Sequence, residues 1–259
     1  MQTRSTSTDI QSTQKLTSRV AANSHASRDF DEWCMRQFPD IPLPARILDL
    51  GCGTGKQVLL FSPIVSPKSE YVALDLAKSS LEQLKAHYRA AADLSLIEGS
   101  FDTLELYPAL EAESFDLIYV AYALYYTKDL QAVLRQVHRL LKPGGTFWMI
   151  GPYSGTNDEF LRILRPLHEV EDFMDYVFDR FPQQVIAICE SLGFRSITPS
   201  LLRNKVAFPD ATAFMKYLSN SLFYRPGHDQ AIMKAVQKIC DVEGRFQVSK
   251  NIISLQLTK

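Results

Sequence analysis

Hydrophobic and polar positions along the chain switch repeatedly between two periods. Short apolar runs centred on Ile47, Val72, Leu96, Ile118 and Trp148 have strand length and end in acids, glycines or small residues. Runs of that kind read as strands buried on both faces. Between them the apolar positions recur at helical spacing, as Leu81, Leu84 and Tyr88 over 78–91 and as Leu130, Val133, Leu134, Val137 and Leu140 over 128–141. A helix capped by Ser27 or Asp29 carries Phe30, Trp33, Cys34 and Phe38 on one face and ends at Pro39. Another starts at Lys56 and breaks near Pro63 and Pro67. Strand–helix alternation of this kind predicts an α/β domain with a parallel sheet.

After residue 151 the pattern changes. Residues 152–192 read as helices rich in bulky groups, among them Phe160, Leu164, Phe173, Tyr176, Phe178 and Phe181. A sixth strand is predicted over 194–207, helices over 211–221 and 228–242, and a closing strand over 247–257. Internal repeats are absent, and no linker separates independent domains.

The first strand, Ile47-Leu48-Asp49-Leu50, runs straight into Gly51-Cys52-Gly53-Thr54-Gly55. Glycines directly after a buried strand predict a tight strand-to-helix turn whose bare backbone a ligand can approach. Asp49 is an acid near the carboxyl end of an apolar strand; such a carboxylate needs a partner, and a ligand at the strand edge supplies one. The dinucleotide fingerprint G-x-G-x-x-G fails at Lys56, and the phosphate loop G-x-x-x-x-G-K-[ST] fails at Leu50 and Gln57. The second strand ends in Asp75, 24 residues after Gly51. A nucleotide-binding βαβ unit places its ribose-gripping acid at about that distance, though the same acid also suits the start of the helix near Lys78.

The D-x-G-x-G-x-G of residues 49–55, the F-D-L-I of 115–118 and the R-L-L-K-P-G-G of 139–145 together resemble the class I S-adenosylmethionine-dependent methyltransferases of small-molecule type. The resemblance covers roughly 28–151. It implies a doubly wound, Rossmann-like, mostly parallel sheet of seven strands, counted here from the runs above, with the last antiparallel. It also implies a helical lid inserted at about 152–192 and 208–245, in a single domain of 28–259 after a tail of 1–27. By the resemblance, Asp49, Gly51, Cys52, Gly53 and Gly55 hold the methionine part of S-adenosyl-L-methionine, with Asp49 meeting its ammonium. Asp75 and Leu76 hold the ribose, Ser100 and Phe101 the adenine, and Ala121 is a further cofactor contact. Ser100 departs from the acid or amide usual there, with Asp102 as its replacement. Tyr122, Tyr125 and Tyr126 follow the fourth strand where this family places its transfer centre. A tyrosine face attracts a sulfonium, and its hydroxyl can orient an acceptor. The activity implied is methyl transfer to an N, O or C atom of a small or medium organic molecule. The alternatives are cleavage of the cofactor by a lyase or cyclase that releases methylthioadenosine, and a non-catalytic cofactor-binding protein.

A formal net charge of −1 in 259 residues gives no footprint for nucleic acid or an anionic membrane. Cys34, Cys52, Cys189 and Cys240 lie far apart, which reads as reduced thiols in a cytoplasmic protein and not as a metal site. The expected assembly is a monomer or homodimer. Residues 1–24, rich in Ser, Thr and Gln, read as a mobile tail whose second half becomes helical over the site. His25, His168 and His228 lie outside the core helices; His87 and His138 read as solvated. Arg162, Arg165, Arg180, Arg203 and Arg225 are candidates to grip a substrate carboxylate.

Overall fold

Strand β1 (Arg46–Leu50) buries four residues in succession, Ile47 to Leu50. An extended segment with both faces covered belongs to a sheet layered by helices, and β1 lies inside a seven-stranded sheet of order β3 (Asp93–Glu98), β2 (Glu70–Asp75), β1, β4 (Phe115–Ala121), β5 (Leu141–Pro152), β9 (Ile252–Thr258), β6 (Arg195–Leu202). Its neighbours are β2 and β4, both parallel to it. Beyond them, β3 pairs parallel with β2, and β5 with β4. Strand β9 lies between β5 and β6, and Gly144 and Lys259 meet at the β5–β9 edge through an N–H to carbonyl bond of 3.0 Å. The strand order reverses between β1 and β4, so the loops after these two strands open a crevice at the carboxyl edge.

The structure, a computed structural model, describes residues 27–170 and 172–259. The expected mobile tail, its helix over the site and His25 lie outside the described residues. Helix α1 (Phe30–Gln37) buries Trp33 and Cys34. Helix α2 (Lys56–Phe61) follows the glycine turn and gives way to a single 3₁₀ turn at Ser62–Ile64, where Pro63 removes an N–H. Helix α3 (Lys78–His87) stops short of the predicted 91, because Tyr88 turns extended and its hydroxyl donates to the Ala92 carbonyl. Helix α4 (Leu130–Leu140) is capped by Asp129, whose carboxylate accepts from the Ala132 N–H at 2.9 Å.

The described chain divides into two compact units. The sheet unit comprises Phe30–Gly151, Arg180–Leu201 and Ile253–Lys259, and includes helix α6 (Phe181–Ser191). The other comprises Pro152–Asp179 and Leu202–Ile252 with the described residues 27–29. It holds helices α5 (Asp158–Leu164), α7 (Ala211–Leu218) and α8 (Asp229–Glu243) and an antiparallel pair, β7 (Lys205–Phe208) with β8 (Phe246–Ser249).

That pair corrects two expectations. The strand predicted over 194–207 is two, β6 and β7, in different sheets, and the strand predicted over 247–257 is likewise β8 and β9. The break is held by Asn204, whose Oδ1 accepts from the Ser27 hydroxyl and the Arg28 N–H at 2.9 and 3.0 Å, while its carbonyl accepts from the Lys250 N–H. The bulky residues after 151 pack largely inward. Phe160, Phe214 and Phe246 are buried, with ring centroids 5.8 and 4.9 Å apart in sequence, and Phe178 and Phe181 are buried as well.

Candidate functional site

The turn after β1 is built by backbone. The N–H groups of Gly51 and Cys52 both donate to the Leu74 carbonyl of β2, at 2.8 and 3.0 Å, and the Gly55 N–H donates to the Cys52 carbonyl. Gly51, Gly53 and Gly55 all adopt positive φ. At two of them chain packing supplies the reason for glycine. A Cβ on Gly51 would sit 2.6 Å from the Ala123 Cβ and 3.5 Å from the Phe101 ring, and one on Gly55 would sit 2.2 Å from Leu84 of α3. The turn after β1, the segment after β3 and the loop after β4 therefore converge at Gly51.

Asp75 ends β2 beside this turn. One carboxylate oxygen accepts from the Gly53 N–H and the other from the Ala77 N–H, each at 2.8 Å. The acid thus braces the glycine turn and the entry to α3 together, and each oxygen keeps a further lone pair for a hydroxyl donor. Leu76, the next residue, is 54% exposed.

Asp49 is 1% exposed, and its Oδ2 has no hydrogen-bond partner among the described residues. Burial pushes its carboxyl well above the usual range; the Tyr119 hydroxyl opposes that and the Asp75 charge adds to it. Tyr119 is close enough to act electrostatically, yet neither its hydroxyl nor that of Tyr71 closes a hydrogen bond of good geometry. Cys52 is buried and its thiol is raised, by burial first and then by Asp49 and Asp75, so it is a filler and not a thiolate nucleophile.

After β3, Ser100 is held by its backbone: its N–H donates to the Tyr107 hydroxyl at 2.8 Å, and its own Oγ accepts from the Asp102 N–H. Asp102, expected as the replacement acid at the adenine, has one oxygen engaged by a neighbouring loop. Its Oδ1 accepts from the Thr127 hydroxyl at 2.5 Å and the Lys128 N–H at 3.0 Å, so this oxygen tethers the loop after β4. Phe101 lies against Gly51. Neither Tyr107 nor the Asp102 tether is visible in local sequence pattern, because both act across turns that no periodicity marks.

Beyond Ala121, Tyr122 adopts a left-handed φ of 57°, donates its N–H to the Ile150 carbonyl at 2.9 Å and is 38% exposed. Its ring is edge-on to Phe30 of α1 with centroids 6.2 Å apart. Phe30 is also met by the Lys56 ammonium, which pairs with Asp31 at 2.7 Å, so α1 is fastened beside the glycine turn. Tyr125 packs on Tyr126 and on Phe181 of α6, at 4.6 and 6.0 Å.

Of the histidines, His87 is exposed, whereas His138, expected to be solvated, packs edge-on against Phe194 at 5.1 Å, and partial burial lowers its pKa. In the other unit His168 and His228 rings lie 5.5 Å apart. Arg165 pairs with Asp175 and Arg162 with Asp158, Arg225 donates to backbone carbonyls, and Arg180 and Arg203 are exposed. No group of three or more His, Cys, Asp or Glu among the described residues is placed to hold a metal.

Residues 47–145 match the methyltransferase-domain family. A demethylmenaquinone methyltransferase of Lactococcus lactis subsp. lactis (strain IL1403) is 36% identical over 101 residues, 38% of this chain and 38% of that protein. A malonyl-[acyl-carrier protein] O-methyltransferase of Methylococcus capsulatus (strain Bath) is 36% identical over 107 residues, 40% of this chain and 36% of that protein. The chain thus spans well under half the length of these curated relatives. Among solved structures, a SAM-dependent methyltransferase from Archaeoglobus fulgidus superposes with a TM-score of 0.54 at 14% identity, covering 88% of this chain and 92% of that one. Phosphoethanolamine N-methyltransferase 2 of Haemonchus contortus, in complex with S-adenosyl-L-methionine, gives 0.53 at 17%, covering 88% and 52%. At those identities the likeness is one of fold. By sequence, the segment from β1 into β5 is similar to the methyltransferase-domain family, and the fold around it is the one seen in these solved methyltransferase structures.

Proposed function

We propose that the protein is an S-adenosylmethionine-dependent methyltransferase acting on a small or medium organic molecule. The observation that carries this is the pair of acids around one glycine turn: Asp75 bonded to the Gly53 N–H, and Asp49 buried behind it with an unpartnered oxygen. The cofactor fits that pair. Asp75 retains acceptor capacity for ribose hydroxyls, and Asp49 offers a carboxyl that a cationic ammonium would satisfy. When bound, S-adenosyl-L-methionine supplies an electrophilic methyl group on a sulfonium. The chain's contribution is to bind and orient. The turn of 51–55 offers backbone, Phe101 an aromatic face, and Tyr122 a partly exposed tyrosine at the end of β4, which supports it as first choice for positioning the acceptor. Tyr125 and Tyr126 extend the same loop. The names of the relatives carry different acceptors, a demethylmenaquinone and a malonyl group on acyl carrier protein. The match therefore supports the group transferred and leaves the acceptor open.

The test is incubation with methyl-labelled cofactor and a metabolite extract, read by mass spectrometry. The expected result is label in an organic product with S-adenosylhomocysteine formed alongside. Methylthioadenosine formed without an added acceptor would replace transfer by cleavage of the cofactor, and binding with neither product would mark a non-catalytic protein.

A further inference from the structure

Asp49 does not stand alone in its burial. On adjacent parallel strands, residues in register share a face, as do residues two apart on one strand. Tyr119 of β4 is in register with Asp49, and Tyr71 of β2 is in register with Ile47, two residues before it. All three polar groups therefore leave the same face of the sheet. Asp49 and Tyr71 are 1% exposed and Tyr119 is 0% exposed. Asp49 Oδ2 and both hydroxyls lack hydrogen-bond partners among the described residues. The Tyr119 ring is fixed by Phe61 of α2 and Trp148 of β5, with centroids 5.8 and 6.2 Å away.

A buried core tolerates such groups poorly, and phenylalanine would fill either tyrosine position without orphaning a hydroxyl. What two hydroxyls beside a carboxyl do is decide which charge it carries. The other groups that act on the cluster are Asp75, whose negative charge disfavours a second one on Asp49, Cys52 of the following turn, and Tyr88, which acts on Tyr71. No cation is among them, so among the described residues nothing in the cluster neutralises an ionised Asp49.

We propose that Tyr71 and Tyr119 are positioning residues for a carboxyl at Asp49 that keeps its proton in the free protein and releases it to solvent when a ligand ammonium docks. The inference rests on the cofactor reading above and adds to it a stoichiometric proton. The bond broken is the Asp49 O–H, the proton passes to buffer, and the carboxylate left behind faces the incoming cation while the Tyr119 hydroxyl donates to it. The direction of the burial effect on Asp49 agrees.

The sign follows from linkage. If Asp49 holds its proton more tightly in the free protein than in the complex, affinity improves as pH rises between the two pKa values, by up to tenfold per pH unit, and is level above the higher one. The experiment is calorimetry of the full chain in two buffers of different ionisation enthalpy, between about pH 5.5 and 7, where an α-ammonium keeps its proton. The probes are S-adenosylhomocysteine, which has the ammonium and does not react, and methylthioadenosine, which has none. Net proton release is expected with the first probe and none with the second. Tyr119→Phe removes a donor to the charged form and should move the midpoint of the affinity profile to higher pH. Asp49→Asn should bind S-adenosylhomocysteine more weakly at pH 8 with a flat profile. Binding of S-adenosylhomocysteine with no proton released, equal release with both probes, or an unmoved midpoint in Tyr119→Phe overturns the inference while leaving the cofactor reading intact. Failure of both probes to bind overturns the reading and the inference together. The wild-type measurement decides even where a variant fails to fold.

Discussion

Replacing Gly51 by alanine should destabilise the protein through two separable effects. The residue sits at φ 72°, where a Cβ meets the following carbonyl at a cost of about 1–2 kcal/mol. The added Cβ would also lie 2.6 Å from the Ala123 Cβ, well inside contact distance, and relieving such overpacking costs about 1–3 kcal/mol. The sum is roughly 2–5 kcal/mol, which for a domain of this size lowers the melting temperature by roughly 2–4 °C per kcal/mol. Only the second effect depends on Ala123. The double variant Gly51→Ala/Ala123→Gly should therefore recover about 1–3 kcal/mol relative to the sum of the single changes. Urea denaturation of the two single variants and the double variant reads this coupling directly. Strict additivity, or a Gly51→Ala variant within about 0.5 kcal/mol of wild type, would refute the claim that the β1 turn and the β4 loop pack through this glycine.

Ser254→Ala should leave the buried Trp148 Nε1–H, now 2.7 Å from the serine hydroxyl, without an acceptor and cost about 1–3 kcal/mol in urea denaturation, and an unchanged midpoint would contradict it. Asp102→Ala removes the acceptor that holds Thr127 and Lys128. Amide hydrogen exchange over 122–129 should accelerate, and exchange as slow as wild type would show that the tether is not what orders the loop.

What could be read from the sequence is what neighbours decide. The glycine turn follows β1 as expected because an apolar strand and glycine spacing are both local signals, and Asp75 falls beside it because a βαβ unit has little freedom in length. The division of 194–207 and of 247–257 could not be read. Both halves of each stretch keep strand alternation, and the break depends on Asn204 meeting Ser27, 177 residues away. The same holds for His138, whose off-stripe position suggested solvent until Phe194 packed on it. The engagement of Asp102 by Thr127 could not be read either, because the two lie 25 residues apart. Nor could the mutual packing of Phe160, Phe214 and Phe246 be read, because they come from three separate elements. That Tyr71 and Tyr119 share a face with Asp49 was equally hidden, because alternation fixes faces within a strand and the register between strands comes only with the sheet.

The central claim is that the turn from Asp49 to Gly55, braced by Asp75, holds S-adenosyl-L-methionine. Equilibrium calorimetry of the wild type and of Asp75→Ala tests it most directly. Binding in the micromolar range, roughly −8 kcal/mol, is expected for the wild type. The variant loses charge-assisted bonds worth about 1.5–3 kcal/mol each and should bind at least tenfold more weakly. Binding of NADH in place of S-adenosyl-L-methionine, or equal affinity for S-adenosyl-L-methionine in the two proteins, would contradict the account.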